Sequence, residues 1–335
     1  MSKSINSLEK INLGNINQWI SIRGKNTDNP ILLYLHGGPG TPVMPLFRYF
    51  QTSLEEYFIV VQWEQRGAGK SFSWKIPKET MTIEQFISDL HELIEILRKK
   101  FQKGKIYLMG HSWGSVLGTY MVQRHPDLFY AYIGVGQASN TIETEKIMYK
   151  FVLDKSKELN KKTAIKKLEK IGPPFEGLQP PYKNFYKGGY QAKMSVYGLV
   201  AKYGGLIYNA RDYNTFLRLF LKYLPIFKSE YGVFDLIKII QGNIFSTKIM
   251  MKELLTVNLF KQVPELKVPV YILMGRHDYN WSAELAKKYF DALKAPKKDF
   301  IWFENSAHAP NGEEPEKFNK ILIEKILPET FGKTK

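Results

Sequence analysis

The sequence predicts an α/β protein: a mostly parallel central sheet with helices on both faces, interrupted by one helical insertion. Three observations lead there. Short apolar runs alternate with helical periodicities from the N-terminus to residue 136. The alternation fails between residues 137 and 263, where the text is helical and lysine-rich. It then resumes from residue 264 to the end.

The elements follow in order. Residues 16–22 (INQWISI) and 31–35 (ILLYL) read as strands, the second apolar throughout as a strand buried on both faces must be. FIVVQW (58–63) is another. Thr82 followed by Gln85 predicts a capping box, and Ile83, Phe86, Ile87, Leu90, Leu93, Ile94 and Leu97 form one apolar helical face behind it. KIYLMG (105–110) is a strand, Ser115–Arg124 a helix stopped by HPD, and YAYIGVG (130–136) a further strand. Beyond the insertion, VYILMG (270–275) and DFIWF (299–303) are strands, with helices expected over 282–293 and 315–326. Residues 1–136 and 264–335 therefore form the expected core, and 137–263 the insertion.

Composition narrows the function classes. The chain of 335 residues is 44% hydrophobic, enough for a large core, and has no cysteine. Disulfides, thiol catalysis and thiolate metal sites are excluded. The N-terminus lacks the apolar core of a secretory signal, and no run approaches the roughly 20 apolar residues that cross a bilayer, so a soluble, cytoplasmic protein is expected. The net charge of +16 comes mostly from the insertion, with 21 Lys and Arg against 10 Asp and Glu. It reads as a solvated surface, because no nucleic-acid-binding motif accompanies it. Neither a nucleic acid nor a membrane is expected as partner.

One motif carries chemistry. Gly110-His111-Ser112-Trp113-Gly114 fits G-x-S-x-G, directly after a strand and before a helix. A sharp turn there lifts the serine hydroxyl above the sheet edge and crowds the backbone two residues to either side, so both positions favour glycine. Such a serine needs a base, and the base an acid. Of the six histidines, His91 and His125 belong to helices, and His111 is expected to point away from the serine. His36 lies in a glycine loop and His277 abuts an aspartate, which leaves His308, after the last strand. Asp278, just past the strand 270–275, is the expected acid in preference to Glu304, four residues from His308. His36-Gly37-Gly38-Pro39-Gly40 follows an early strand as an oxyanion loop would, which points to the Gly38 and Trp113 amides as donors.

HGGPG, WEQRGAGKS (63–71), the serine elbow, the late aspartate and S-x-H-x-P together resemble the α/β-hydrolase superfamily, within it most closely the proline iminopeptidases. The resemblance spans roughly 16–136 and 264–330. It implies Ser112 as nucleophile, His308 as base, Asp278 as its orienter, a helical cap at 137–263 and no metal or organic cofactor. It further implies an acyl-enzyme that releases an N-terminal residue, often proline, from a small peptide. Glu64-Gln65-Arg66-Gly67 stands where the family commonly reads D-Q-R-G, as a segment bracing the site, and His111 stands where glycine is frequent. The family binds the substrate amine with acidic cap residues. The cap acids here are scattered over Glu143, Glu145, Asp154, Glu158, Glu169, Glu176, Asp212, Glu230, Asp235 and Glu253, with none singled out. An esterase, amidase or lactonase with the same machinery is the alternative reading; a non-catalytic or nucleic-acid-binding scaffold is a remote one. Trp113, Phe175, Tyr182, Tyr203 and Tyr208 are candidate pocket aromatics, with packing as their competing role.

Overall fold

The computed structural model describes residues 3–178, 183–209 and 230–331. Tyr182 and Asp212 lie outside the described residues. Eight strands form one sheet in the order β1-β2-β4-β3-β5-β6-β7-β8: β1 (Ile5–Leu13), β2 (Ile16–Gly24), β3 (Ile31–Leu35), β4 (Ile59–Glu64), β5 (Ile106–His111), β6 (Phe129–Val135), β7 (Val270–Gly275) and β8 (Lys298–Phe303). From β4 to β8 every pairing is parallel, while β1 and β2 run antiparallel at one edge. The central strands are buried along their length, as their unbroken apolar runs require.

β1 is not among the strands expected from the sequence. Its inward face is Ile5, Ser7, Glu9, Ile11 and Leu13, with two polar residues interrupting the apolar alternation. A two-residue turn fixes its nine-pair register: Leu13 faces Ile16 across Gly14 and Asn15, both with positive φ.

Three α-helices before β6 serve the core. α1 (Met44–Gln51) packs beside β3, and α2 (Ile83–Phe101) buries all seven apolar residues expected of it. α3 (Trp113–Arg124) follows β5, beginning two residues earlier than the sequence suggests. The Thr82 hydroxyl caps α2 by accepting from Gln85 N–H at 3.2 Å. The reciprocal half of the box is absent, because the Gln85 amide donates to Asp89 instead, at 2.8 Å. At the end, 315–320 is α-helical and Ile321–Ile326 widens into a π-turn, so the expected closing helix is not uniform.

Between β6 and β7 the chain is helical in the described residues: α4 (Thr141–Glu158), α5 (Lys162–Ile171), α6 (Gly189–Lys202) and α7 (Val233–Leu254). α7 lies across the loops after β3 and β4. Asn243 donates to Thr41 Oγ1 at 2.7 Å, Thr247 to Pro39 O at 3.2 Å and Ser246 to Gly67 O at 3.0 Å.

The strand order creates the site. After β3 the chain moves to one side to make β4, then returns past β3 to make β5 on the other. The loops leaving β3 and β5 diverge there and open a crevice at the carboxyl ends of the strands.

Candidate active site

Ser112 sits in that crevice with φ +56° and ψ −122°. This is a conformation that L-residues avoid, at a cost of order 1–3 kcal/mol. The surroundings hold it there. Its N–H donates to Val135 O at 3.0 Å, and its carbonyl accepts from Ser115 Oγ at 2.6 Å. The flanking glycines are sterically required. A Cβ on Gly110 would fall 2.3 Å from Gly114 O, and one on Gly114 would fall 2.2 Å from Leu35 O.

The loops after β3 and β4 are tied to the elbow through Gln65. Its amide nitrogen donates to His36 O at 3.0 Å, and its Oε1 accepts from Trp113 Nε1 at 3.0 Å. Its backbone N–H donates to His36 Nε2 at 3.1 Å, while His36 Nδ1 donates to Gly37 O at 2.8 Å. That assigns the neutral ring, in keeping with burial that pushes His36 down to about 4. The next residue, Arg66, is fully buried and reaches both Asp89 oxygens, at 2.9 and 3.0 Å. Asp89 also accepts from Gln18 at 2.7 Å and Gln85 at 2.8 Å. The E-Q-R-G segment thus ties the elbow, the loop after β3 and α2 together. The Gly38 amide has no acceptor among the described residues, and Trp113 as the first residue of α3 has none within its helix.

His308 and Asp278 meet in the same crevice. The imidazole Nδ1 lies 2.7 Å from Asp278 Oδ2, and the carboxylate's other oxygen accepts from the Asn280 and Trp281 amides at 2.7 and 3.1 Å. The His308 loop is held from behind by Glu313, which accepts from Ala307 N–H at 3.0 Å and Ala309 N–H at 3.2 Å. Glu304 faces away and pairs with Arg276 at 2.6 Å. The His91 and His125 rings meet at a tilt, 4.4 Å apart, and His277 stacks on Tyr208 at 4.1 Å.

Two residues that the sequence does not single out bond to the His308 imidazole and the Ser112 hydroxyl. Asn280 Nδ2 lies 3.0 Å from His308 Nε2, and Trp281 Nε1 donates to Ser112 Oγ at 3.1 Å. With Nδ1–H directed at Asp278, Nε2 presents a lone pair, which the Asn280 amide fills. No hydrogen bond joins Ser112 Oγ to His308 in this arrangement. The three side chains converge, but the contact needed for proton transfer is not made. The only sequence signal for Asn280 and Trp281 is their position directly after Asp278 at a strand end.

His111 corrects one expectation. It turns inward, its Nε2 lying 2.8 Å from His308 O and its ring 4.8 Å from the His308 ring. Burial above all pushes it down to about 3, so it is neutral at physiological pH.

A cavity of about 350 Å³ opens over Ser112 and His308, roofed by α4, α6 and α7. Of the cap carboxylates, Glu145 lines it, only 1% exposed. Its Oε1 lies 3.4 Å from the ammonium of Lys193, which is also buried; its Oε2 makes no well-formed hydrogen bond, though the Tyr186 and Tyr197 hydroxyls stand close to the carboxylate. Burial raises the Glu145 carboxyl and lowers the Lys193 ammonium, each opposed by the other's charge. The aromatics of the cavity are Tyr197 and Trp281. Phe175 and Tyr203 serve packing instead, and Trp113 braces the elbow. The described residues contain no cluster of His, Asp and Glu able to hold a metal and no helix long and apolar enough to cross a membrane.

A parallel sheet with a strained serine after β5, and an aspartate and histidine delivered by later strand ends, defines an α/β-hydrolase. Residues 30–315 match the alpha/beta hydrolase fold family, and the chain belongs to it. Within that family it is similar to the "Probable aminopeptidase YbaC" of Bacillus subtilis (strain 168), 38% identical over 320 residues and 96% of each chain. A "Probable proline iminopeptidase" of Leptolyngbya boryana is 36% identical over 103 residues, 30% of each chain. The crystal structure of proline iminopeptidase from Mycobacterium smegmatis superposes with a TM-score of 0.63 over 97% of this chain and 99% of that one. At 13% identity that likeness shows the fold. The chain is proline iminopeptidase-like.

Proposed function

We propose that the protein is a serine aminopeptidase, with Ser112 as nucleophile, His308 as general base, Asp278 as its orienter and residues 137–263 as the cap over the acyl site. The observation that carries this is the convergence, in one cavity, of a strained Ser112, an Asp278-bound His308 and one buried cap carboxylate with an oxygen that makes no well-formed hydrogen bond. The name borne by the Bacillus relative supports the same reading.

In this mechanism a substrate displaces the Asn280 amide from His308 Nε2 and the Trp281 indole from Ser112 Oγ. Catalytic hydrogen bonds often tighten only in the Michaelis complex. His308 then takes the Ser112 proton as Oγ attacks the carbonyl carbon, and the Gly38 and Trp113 amides hold the oxyanion. Each donor of that kind is worth about 2.7–4 kcal/mol. The imidazolium passes its proton to the leaving amine, and water resolves the acyl-enzyme by the same route. Glu145 Oε2 receives the substrate ammonium, the role left unassigned among the ten cap acids of the sequence.

One observation favours the second reading, an esterase or amidase. Lys193 already gives Glu145 a cation, so a neutral acyl group meets no unbalanced charge there. Aminoacyl anilides, their N-acetyl forms and short acyl esters separate the two. Free-amine anilides are expected to be cleaved and their acetylated forms refused; the reverse order would replace the peptidase with an esterase. Ser112→Ala is expected to abolish turnover and fluorophosphonate labelling alike. Labelling that persists in that variant would remove Ser112 from the mechanism, and a wild type that does not label would point to a non-catalytic scaffold.

A further inference from the structure

The wall of the acyl cavity made by α4 and α6 holds more than an amine acceptor. Thr141, Thr144 and Glu145 are spaced so that one face of α4 presents all three, and each lines the cavity. Both threonine hydroxyls are buried without a hydrogen-bond partner, and Glu145 Oε2 makes no well-formed hydrogen bond. Buried polar atoms left unpaired in a closed wall are costly, so a concentration of them facing a cavity marks where a polar ligand supplies the missing bonds. Opposite stands Lys193, 3% exposed, with its ammonium 3.6 Å from the Phe185 ring centroid and 5.1 Å from that of Tyr197. Glu145 is its ion-pair partner, at 3.4 Å, which leaves donor capacity unspent on an ammonium carrying three N–H groups.

Charge balance decides what fits. Glu145 and Lys193 sum to zero within the cavity. A residue that brings only an ammonium, such as an N-terminal proline or leucine, leaves one uncompensated positive charge a few ångströms from the buried Lys193, an unfavourable arrangement. An apolar acyl group balances the charge but leaves the Thr141 and Thr144 hydroxyls and Glu145 Oε2 unpaired. A residue with both an ammonium and an acidic side chain satisfies every group. Its ammonium meets Glu145, its carboxylate meets Lys193, and the threonine hydroxyls are free to donate to that carboxylate.

We propose that Lys193 is a specificity-determining residue that directs the site to peptides with an N-terminal glutamyl or aspartyl residue, with the substrate ammonium on Glu145 Oε2 and the side-chain carboxylate on Lys193 Nζ. This rests on the aminopeptidase reading. It differs from a prolyl specificity in that the decisive contact is made by a cation of the cap.

The test uses the full chain and the p-nitroanilides of Glu, Gln, Asp, Asn, Pro and Leu. Glu against Gln is the informative pair, because the two differ in charge and hardly in shape. The wild type is expected to favour Glu over Gln at least tenfold in kcat/KM, carried by KM. Lys193→Met is expected to bring that ratio to one or below and to improve KM for Pro and Leu. If the methionine variant leaves Glu145 unpaired and fails to fold, Lys193→Gln retains a donor to Glu145 and carries the same readout. A wild type that cleaves Gln or Pro anilides at least as well as Glu, with the ratio unmoved in the Lys193 variants, overturns the proposal and leaves the aminopeptidase standing. Turnover of acyl esters with none of the six anilides cleaved overturns the aminopeptidase reading itself.

Discussion

Glu64 offers a sharp test of the packing around the brace. It opens the E-Q-R-G segment, and it is fully buried beneath Tyr231 and Lys70. Its Oε2 accepts from Lys70 N–H at 2.5 Å, and its Oε1 accepts from the Tyr231 hydroxyl. The nearby Lys70 ammonium is engaged by Asp235 at 2.6 Å, so Glu64 has no cation of its own. Burial therefore dominates and pushes its carboxyl up to about 7 from an ordinary 4.5. The unfolded chain ionises near 4.5 while the folded one keeps its proton to about 7. As pH climbs between the two, the folded state loses stability, by about 3 kcal/mol in full. Roughly 2 kcal/mol of that loss develops between about pH 5.5 and 8.5. Glu64→Gln removes the ionisation; the amide that then faces the Lys70 N–H adds a cost that does not vary with pH. Urea titrations of both proteins at the two pH values isolate the effect, since every other titrating group cancels in the comparison. The variant is expected to gain about 2 kcal/mol on the wild type as pH rises. A stability difference that stays constant across that range would show that Glu64 is already ionised when folded.

Two further outcomes follow from the site. Asp89→Asn strips the countercharge from the fully buried Arg66 while keeping its shape, and is expected to cost about 3–5 kcal/mol in urea unfolding. Asn280→Ala frees His308 Nε2 from a hydrogen bond worth about 1 kcal/mol net, so the rate of Ser112 labelling by a fluorophosphonate is expected to rise about fivefold. A lower rate would mean that Asn280 positions the imidazole rather than occupying it.

The legible parts of the molecule were those whose chemistry dictates the residue. Gly110 and Gly114 announce the elbow because a backbone oxygen fills the place of each missing Cβ. Asp278 and His308 could be chosen because strand ends deliver them, and the apolar runs mark the strands. β1 escaped notice because its inward face includes Ser7 and Glu9, although the Gly14-Asn15 pair was a hairpin signal in plain sight. The inward turn of His111 depended on the His308 carbonyl, almost 200 residues away, which local pattern does not reveal. Glu145 could not be told from nine other cap acids by composition. Its distinction is to share the buried stripe of α4 with Thr141, Met148 and Val152, a periodicity that becomes informative once the helix is placed over the crevice.

Gln65 ties together the loops that follow β3, β4 and β5 with hydrogen bonds from a single side chain and its own amide. Lengthening any of the three would break a shared knot, so these segments have little room to drift during divergence. New substrate preferences then fall most easily on the stretch between β6 and β7, provided α7 keeps its hydrogen bonds to Thr41, Pro39 and Gly67. Chimaeras that graft that stretch from a relative should consequently change what is cleaved before they change how.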